Sequence, residues 1–417
     1  YKMCQKAYDF IAFVKTCVII SLLIGKYDIL HSIETISKWI RGQYKNHGIF
    51  YKTGYQDGLS ASHPADRIYA VKPIKQGTIL LADAHHDEIP FSLMALKAAL
   101  EQQEDLHITE MYWNNEHCSA GRVLWNMFEF MKLYAVSQTV VICDNFLPAA
   151  SCRKRKGTKV IQLWHAGGAL KKFGYDTADD IPAYYKGNVM ANCNLVTVSA
   201  KRCIEPFSSA MRLPCQRVKA MGISRTDLYF DENFNRECRE HFFEEYPEAK
   251  GKKIVLWAPT FRGNPGVAGV KGLKEIQRIS ERLKATHYFI IKLHPHTQVH
   301  LAGSNCEILT EELLPAADVL ITDYSSILFD AMIYKLPIVL FVPDLEEYVD
   351  NRGFYLDYRE IPGIRARNER ELIEIFTDPS MLDASVNEAY MAFYRKYMAA
   401  CDGHATERII RYIKRYM

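Results

Sequence analysis

From residue 68 onward, short apolar runs alternate with helix-length stretches, and this alternation predicts repeated βα units over parallel sheets. Strands are predicted at 78–82 (TILLA), 139–143 (TVVIC), 159–164 (KVIQLW) and 195–198 (LVTV), with a helix over 91–102. A second set of strands follows at 253–257 (KIVLW), 288–292 (YFIIK), 319–322 (VLIT) and 338–341 (IVLF). Between the sets, 228–252 is charged, acidic and helix-prone, so the boundary is placed there. The expected organisation is a first lobe over 1–227, a linker region over 228–252, a second lobe over 253–385 and terminal helices over 386–417 that pack back toward the first lobe. A chain of 417 residues exceeds one ordinary core. The fold class expected is α/β, with two doubly wound, Rossmann-like sheets facing each other across a cleft and ligands at the carboxyl ends of the strands.

Composition sharpens this only a little. Apolar residues make up 48% and charged residues 24%, which fits a folded chain, and a net charge of +3 excludes a strongly basic nucleic-acid binder. Eleven cysteines lie scattered with no Cys-x-x-Cys pair, which argues against a zinc ribbon or a disulfide framework and fits a reducing compartment. The apolar segment 11–25 (IAFVKTCVIISLLIG) is short of the roughly 20 residues needed to span a bilayer and contains Lys15. No cleavage site follows it. With Lys2, Lys6 and Lys26 nearby it suits a helix lying on a membrane surface, or a buried helix of the first lobe. The run 406–417 (TERIIRYIKRYM) interleaves Arg408, Arg411, Lys414 and Arg415 with apolar residues; it suits contact with anionic lipid or plain packing with a solvated basic face.

The polar residues that carry chemistry stand at strand ends. His165 follows 159–164 and precedes Gly167 and Gly168, so an imidazole able to accept a proton from an alcohol sits where glycines admit a close approach. Lys171 and Lys172, with Arg153, Lys154, Arg155, Lys156 and Lys159, gather positive charge around it, suited to a polyanionic acceptor or to solvent. Lys292, His294 and Pro295 end a strand of the second set, with His296 and His300 beyond. His85 and His86 end the first strand as loop residues with possible access to the acceptor. Thr322, Asp323, Ser325, Ser326 and Asp330 form a strand-turn-helix run whose hydroxyls and free backbone N–H groups suit either a phosphate or simple N-capping. Arg262 (in APTFR) and Arg225 with Asp227 (in GISRTD) end further strands, where a guanidinium can grip a diphosphate. There is no HExxH and no Asp-x-Asp, so no metal site is predicted.

The runs QLWHAGGALKKFG (162–174), GISRTD (222–227), WAPTFR (257–262), KLHPH (292–296), TDYSSILFDAMIYKLPIVLF (322–341) and RGFYLDY (352–358) resemble, in order, the motif series of the CDP-glycerol glycerophosphotransferase family, of teichoic-acid primase and polymerase type. The likeness spans roughly 138–360. It implies a GT-B type fold, direct displacement at the β-phosphate of CDP-glycerol with release of CMP, and peripheral association with the cytoplasmic face of a bacterial membrane through an acceptor-binding first lobe. No cofactor is implied as required, and a divalent ion is compatible with the family. On the matching positions, His165 resembles the base that deprotonates the acceptor hydroxyl and His294 a stabiliser of the diphosphate. Arg225, Asp227, Arg262, Lys292, Pro295, Thr322, Asp323, Ser325, Ser326 and Asp330 look like the donor site, and Gly167, Gly168, Lys171 and Lys172 like the acceptor side. The implied partners are CDP-glycerol and a prenyl-diphosphate-linked or polyol-phosphate acceptor, with no nucleic acid. The departure at 79–92 (ILLADAHHDEIPFS) leaves the acceptor open, and the motifs do not separate CDP-glycerol from CDP-ribitol. A GT-B nucleotide-sugar glycosyltransferase and a non-catalytic polyanion-binding protein are the rival classes.

Overall fold

The structure, a computed structural model, describes residues 72–177, 180–181, 187–260, 262, 269–293 and 306–416. The apolar segment 11–25 and His294, Pro295, His296 and His300 lie outside the described residues.

Twelve strands form two sheets among the described residues. In the first, β1 (Lys75–Asp83), β2 (His85–His86), β3 (His107–Asn114), β4 (Ser137–Ile142), β5 (Lys159–Gln162), β6 (Cys193–Thr197) and β7 (Val218–Lys219) take the order β2-β3-β1-β4-β5-β6-β7. All its pairings are parallel except that of β2 with β3. The second sheet joins β8 (Lys253–Ala258), β9 (His287–Ile291), β10 (Val319–Thr322), β11 (Ile338–Phe341) and β12 (Ile364–Ala366) in the order β12-β11-β10-β8-β9, all parallel.

The apolar runs form central strands because successive side chains leave opposite faces and both faces are covered. Leu80, Val140, Val160 and Val196 enter one core; Ile79, Leu81, Val141, Ile161 and Leu195, one position removed, enter another. In the second sheet Ile254 and Leu256 divide from Val255 and Trp257 in the same way. Each predicted strand is present, those at 319–322 and 338–341 with the expected bounds and the others with one or both ends shifted. β3 escapes prediction because it is a polar strand near the sheet edge with one buried residue, Trp113. β2, β7 and β12 span only two or three residues and give no periodic signal.

Seven helices position the site: α1 (Phe91–Glu101), α2 (Ala120–Val136), α3 (Glu232–Glu245), α4 (Leu273–Leu283), α5 (Ile327–Ile333), α6 (Glu388–Met398) and α7 (Ala405–Arg415). The charged 228–252 stretch holds α3, capped by Asp231 through Asn233 N at 2.8 Å and anchored by buried Cys238 and Phe242. In α6, Phe393 stacks on Phe329 of α5 at 6.0 Å and the Tyr390 hydroxyl donates to the Leu336 carbonyl at 2.8 Å. α7 then buries Ile409 and Ile413 against the face of the first sheet made by Leu81, Val141 and Leu195. Three of its four cations are paired along the way: Arg408 with Asp402, Arg411 with Glu407 and Lys414 with Asp105. The apolar side of this helix is therefore spent on packing. No described helix is long and apolar enough to cross a membrane.

Candidate active site

The ladder of β5 continues through Leu163, whose N–H donates to the Ile142 carbonyl at 2.8 Å, and then breaks at Trp164. Trp164 holds φ at 60°, a left-handed conformation costing a bulky residue about 1–2 kcal/mol. The turn is fixed by its N–H donating to Gln162 Oε1 at 2.9 Å and by packing of the indole on Phe173 and Phe207. The strain has a visible result: His165 emerges at the carboxyl end of β5, its side chain 45% exposed, stacked on the indole at 4.6 Å. Its Nδ1 lies 3.3 Å from Oδ2 of Asp144, the second residue after β4. Asp144 is held in turn, its Oδ1 accepting from Asn145 N at 2.6 Å and its carbonyl from Gln162 Nε2 at 2.8 Å. A carboxylate at Nδ1 orients the ring and leaves Nε2 for a substrate. Sequence reading passed over Asp144, although an acid directly after a buried strand was the available signal.

Gly167 and Gly168, expected at the acceptor, are buried against the opposite part of the molecule. A Cβ on Gly168, at φ 65°, would stand 2.2 Å from the Phe329 ring, and one on Gly167 2.9 Å from Met398 Sδ. These glycines admit α5 and α6, and the Gly168 N–H is taken by Ser199 Oγ at 2.8 Å. Lys171 and Lys172 continue this junction through backbone: Lys171 bridges to Phe354, and Lys172 N donates to the Gly353 carbonyl at 3.2 Å. The basic loop 153–159 lies at the other end of the sheet. Lys154 donates to the Asn192 carbonyl at 2.8 Å and Arg155 to the Ala135 carbonyl at 2.7 Å, both at the amino ends of strands. It is separated from His165 by the run of β5, about 20 Å at roughly 3.3 Å per residue.

Three expected donor ligands turn out to serve the framework. Arg225 is buried; its Nε donates to the His165 carbonyl at 3.1 Å, Nη1 to the Tyr229 hydroxyl at 2.6 Å and Nη2 to Asp330 Oδ2 at 2.7 Å. Asp330 lies on α5, so this ion pair joins the base loop to the helix that follows Ser325 and Ser326. Burial raises the Asp330 carboxyl above its ordinary range despite Arg225, and its Oδ1 has no hydrogen-bond partner among the described residues. Asp227 caps α7 from a distance, accepting from Ala405 N at 3.1 Å and Thr406 N at 2.7 Å. Polar strand-end residues look alike in sequence whether they face a ligand or another part of the fold.

In the second sheet the ends of β8, β10 and β11 converge on Arg262. Its Nε and Nη2 hold Asp344 at 2.8 and 3.1 Å, Nη2 also reaches Asp323 Oδ2 at 3.0 Å, and Nη1 donates to the Thr260 carbonyl at 2.6 Å. The guanidinium lies over Tyr324 and Tyr348 at 4.8 and 4.9 Å. Burial alone would lower its pKa; the two carboxylates reverse that and raise it. Asp344, after β11, was not anticipated. Asp323 Oδ1 accepts from Thr260 N at 2.8 Å, and buried Thr322 donates to the Ala258 carbonyl at 2.7 Å, so Thr322 pins two strands together rather than facing a ligand. Ser325 and Ser326 are half-buried at the start of α5. Ser325 Oγ accepts weakly from Ile327 N at 3.4 Å, and Ser326 makes no side-chain cap bond, so among the described residues their hydroxyls are available to a ligand. Lys292 follows β9, with Nζ donating to the Cys306 carbonyl at 2.7 Å. Among the described residues no three His, Cys, Asp or Glu are arranged to hold a metal ion.

With this geometry in hand, comparison with known proteins is specific. The family model described as CDP-Glycerol:Poly(glycerophosphate) glycerophosphotransferase matches residues 65–415. The teichoic acid ribitol-phosphate primase of Bacillus spizizenii is 28% identical over 366 residues, covering 84% of this chain and 93% of that protein. The teichoic acid glycerol-phosphate primase of Bacillus subtilis is 30% identical over 294 residues, covering 66% and 73%. The solved structure of the wall teichoic acid polymerase TagF superposes with a TM-score of 0.70 at 20% identity over 94% of this chain and 98% of that one. That likeness shows a shared α/β fold of two sheets resembling the GT-B architecture.

Proposed function

Because the chain belongs to the CDP-glycerol:poly(glycerophosphate) glycerophosphotransferase family, we propose that it transfers glycerol phosphate from CDP-glycerol to a hydroxyl of a lipid-linked or glycan acceptor in teichoic-acid or related polymer synthesis. The observation that carries this reading is His165 at the carboxyl end of β5, with Asp144 at Nδ1 and the side chain 45% exposed. In the reaction His165 Nε2 takes the proton of the acceptor alcohol. The alcohol oxygen forms a bond to the β-phosphorus, and the bond from that phosphorus to the bridging oxygen breaks, so that CMP departs. On the donor side, Ser325 and Ser326 face the diphosphate. Arg262 acts through the Asp323–Asp344 frame that shapes this turn, and His294 with Pro295 belongs to the donor side by motif. No divalent ion is assigned a place.

CDP-ribitol is the second reading of the donor, favoured by the similarity to a ribitol-phosphate primase along most of that protein. The purified chain, given CDP-glycerol, CDP-ribitol or a UDP-sugar with a synthetic prenyl-diphosphate disaccharide, separates the alternatives by CMP release and product mass. Sugar transfer without CMP release would overturn the reading. The proposal includes peripheral attachment to the cytoplasmic membrane face through the apolar segment 11–25. Flotation with anionic vesicles is expected for the wild-type chain and lost on Ile20→Asp with Leu23→Asp; unchanged flotation would contradict the attachment.

A further inference from the structure

A second imidazole on the same sheet edge repeats the arrangement of His165. β1 ends at Asp83, a buried carboxylate whose Oδ2 accepts from His85 N at 2.8 Å, His86 N at 3.0 Å and the His86 ring Nδ1 at 2.8 Å. The neighbouring His85 is used otherwise, its Nε2 meeting the Asn145 carbonyl at 3.1 Å, which ties this loop to the residue after Asp144. His86 is left 54% exposed, with no hydrogen bond to Nε2 among the described residues. β1, β4 and β5 are adjacent in the sheet, so Asp83, Asp144 and His165 share one carboxyl edge, and His86, on β2 beyond β3, is held to that edge by its bond to Asp83. The field supports the proximity: the Asp83 hydrogen bond raises the His86 pKa, desolvation opposes it, and Asp144 and Glu311 add to the rise. Glu311 itself stands 3.7 Å from Arg225, which holds the His165 carbonyl.

The charge of this edge decides what it can receive. Asp83, Asp144, Glu311 and Asp330 outnumber the buried Arg225, and the basic loop 153–159 lies at the opposite end of the strands. Beside His86 this charge suits an uncharged hydroxyl better than a phosphate additional to the one that reacts at His165. Two exposed imidazoles, each with a carboxylate at Nδ1, suit a ligand end that carries more than one hydroxyl.

We propose that the Asp83–His86 pair hydrogen-bonds, through His86 Nε2, the hydroxyl next to the attacking one on the acceptor's terminal polyol or sugar unit. His86 is then a specificity-determining residue for a hydroxyl-bearing acceptor end, an inference that rests on the transfer reading above. The test uses the full chain with two acceptors that differ only in that neighbouring hydroxyl, present or replaced by hydrogen, for wild type, His86→Ala and His86→Gln. Wild type is expected to prefer the hydroxylated acceptor by about 10- to 100-fold in kcat/KM. His86→Ala should bring the preference to near unity, and His86→Gln should restore part of it. The KM for the cytidine diphosphate donor and the kcat/KM for the deoxy acceptor should stay within about threefold of wild type. Equal losses on both acceptors, an unchanged preference in His86→Ala, or a loss that follows an acceptor phosphate would each overturn the proposal. No CMP release by wild type with either acceptor overturns the transfer reading and this one with it. Transfer with unaltered selectivity in His86→Ala overturns this one alone.

Discussion

Replacing Gly168 with alanine puts a methyl group where the Phe329 ring already stands. The new Cβ would lie 2.2 Å from Phe329 Cε2 and Cζ and 2.5 Å from Cδ2, far inside van der Waals contact, and the backbone there holds φ at 65°. The left-handed backbone costs a non-glycine residue about 1–2 kcal/mol, and forcing atoms into a filled core adds about 1–3 kcal/mol. Gly251→Ala is the control: φ is 79° and nothing stands within 4 Å of its Cβ, so only the backbone part applies. Denaturant unfolding of the two variants should therefore differ by about 1–3 kcal/mol, with Gly168→Ala the weaker. Phe329→Leu removes the ring atoms that collide, so the double variant should recover about 0.5–3 kcal/mol relative to additivity. Phe329 belongs to α5, which begins beside Ser325 and Ser326, so displacing it shifts the base loop against the donor turn. A shift on the order of 1 Å can cost about 100-fold in rate, which CMP release measures. Equal destabilisation of the two glycine variants, with activity intact, would refute the packing argument.

Asp144→Asn should lower kcat by about 10- to 100-fold with little effect on donor KM, because the ring loses its orienting carboxylate; steady-state kinetics with unchanged kcat would remove Asp144 from the base. Arg225→Met leaves Asp330 buried and uncompensated, costing about 3–5 kcal/mol, whereas Arg225→Met with Asp330→Leu should recover most of it in the same unfolding assay. Asp227→Ala unpairs two N–H groups at the start of α7 and should cost about 1–2 kcal/mol, with earlier hydrogen exchange at Ala405 and Thr406. The His86 pKa is raised above its ordinary 6.5 by Asp83, so this pair contributes stability fully below that pH and loses it as pH rises through the folded value. NMR titration should place the His86 midpoint above 6.5 in wild type and lower it in Asp83→Asn.

The sheets were legible in sequence because their central strands are buried on both faces and read as unbroken apolar runs. TVVI and KIVL needed no context to declare themselves. The strand His107–Asn114 was not legible, since a strand near the edge need hide little and so carries polar residues throughout. His165 could be found from its place after a strand, but its partner Asp144 lies 21 positions earlier and is joined to it only by the pairing of β4 with β5. The pairing of Arg225 with Asp330 escapes sequence reading in the same way. They are 105 residues apart and meet only once the two sheets pack together. Gly167 and Gly168 announced a close approach, and the close approach is real; its occupants are Phe329 and Met398.

The central claim, that His165 serves as the base for polyol-phosphate transfer, is tested most directly by intact-mass analysis of a synthetic prenyl-diphosphate acceptor after incubation with CDP-glycerol and wild-type or His165→Ala protein. Wild type should add the mass of glycerol phosphate with one CMP released per addition, and His165→Ala should slow this by about 10²- to 10⁴-fold while still binding CDP-glycerol. Addition by His165→Ala at the wild-type rate, or mass gain without CMP, would contradict it.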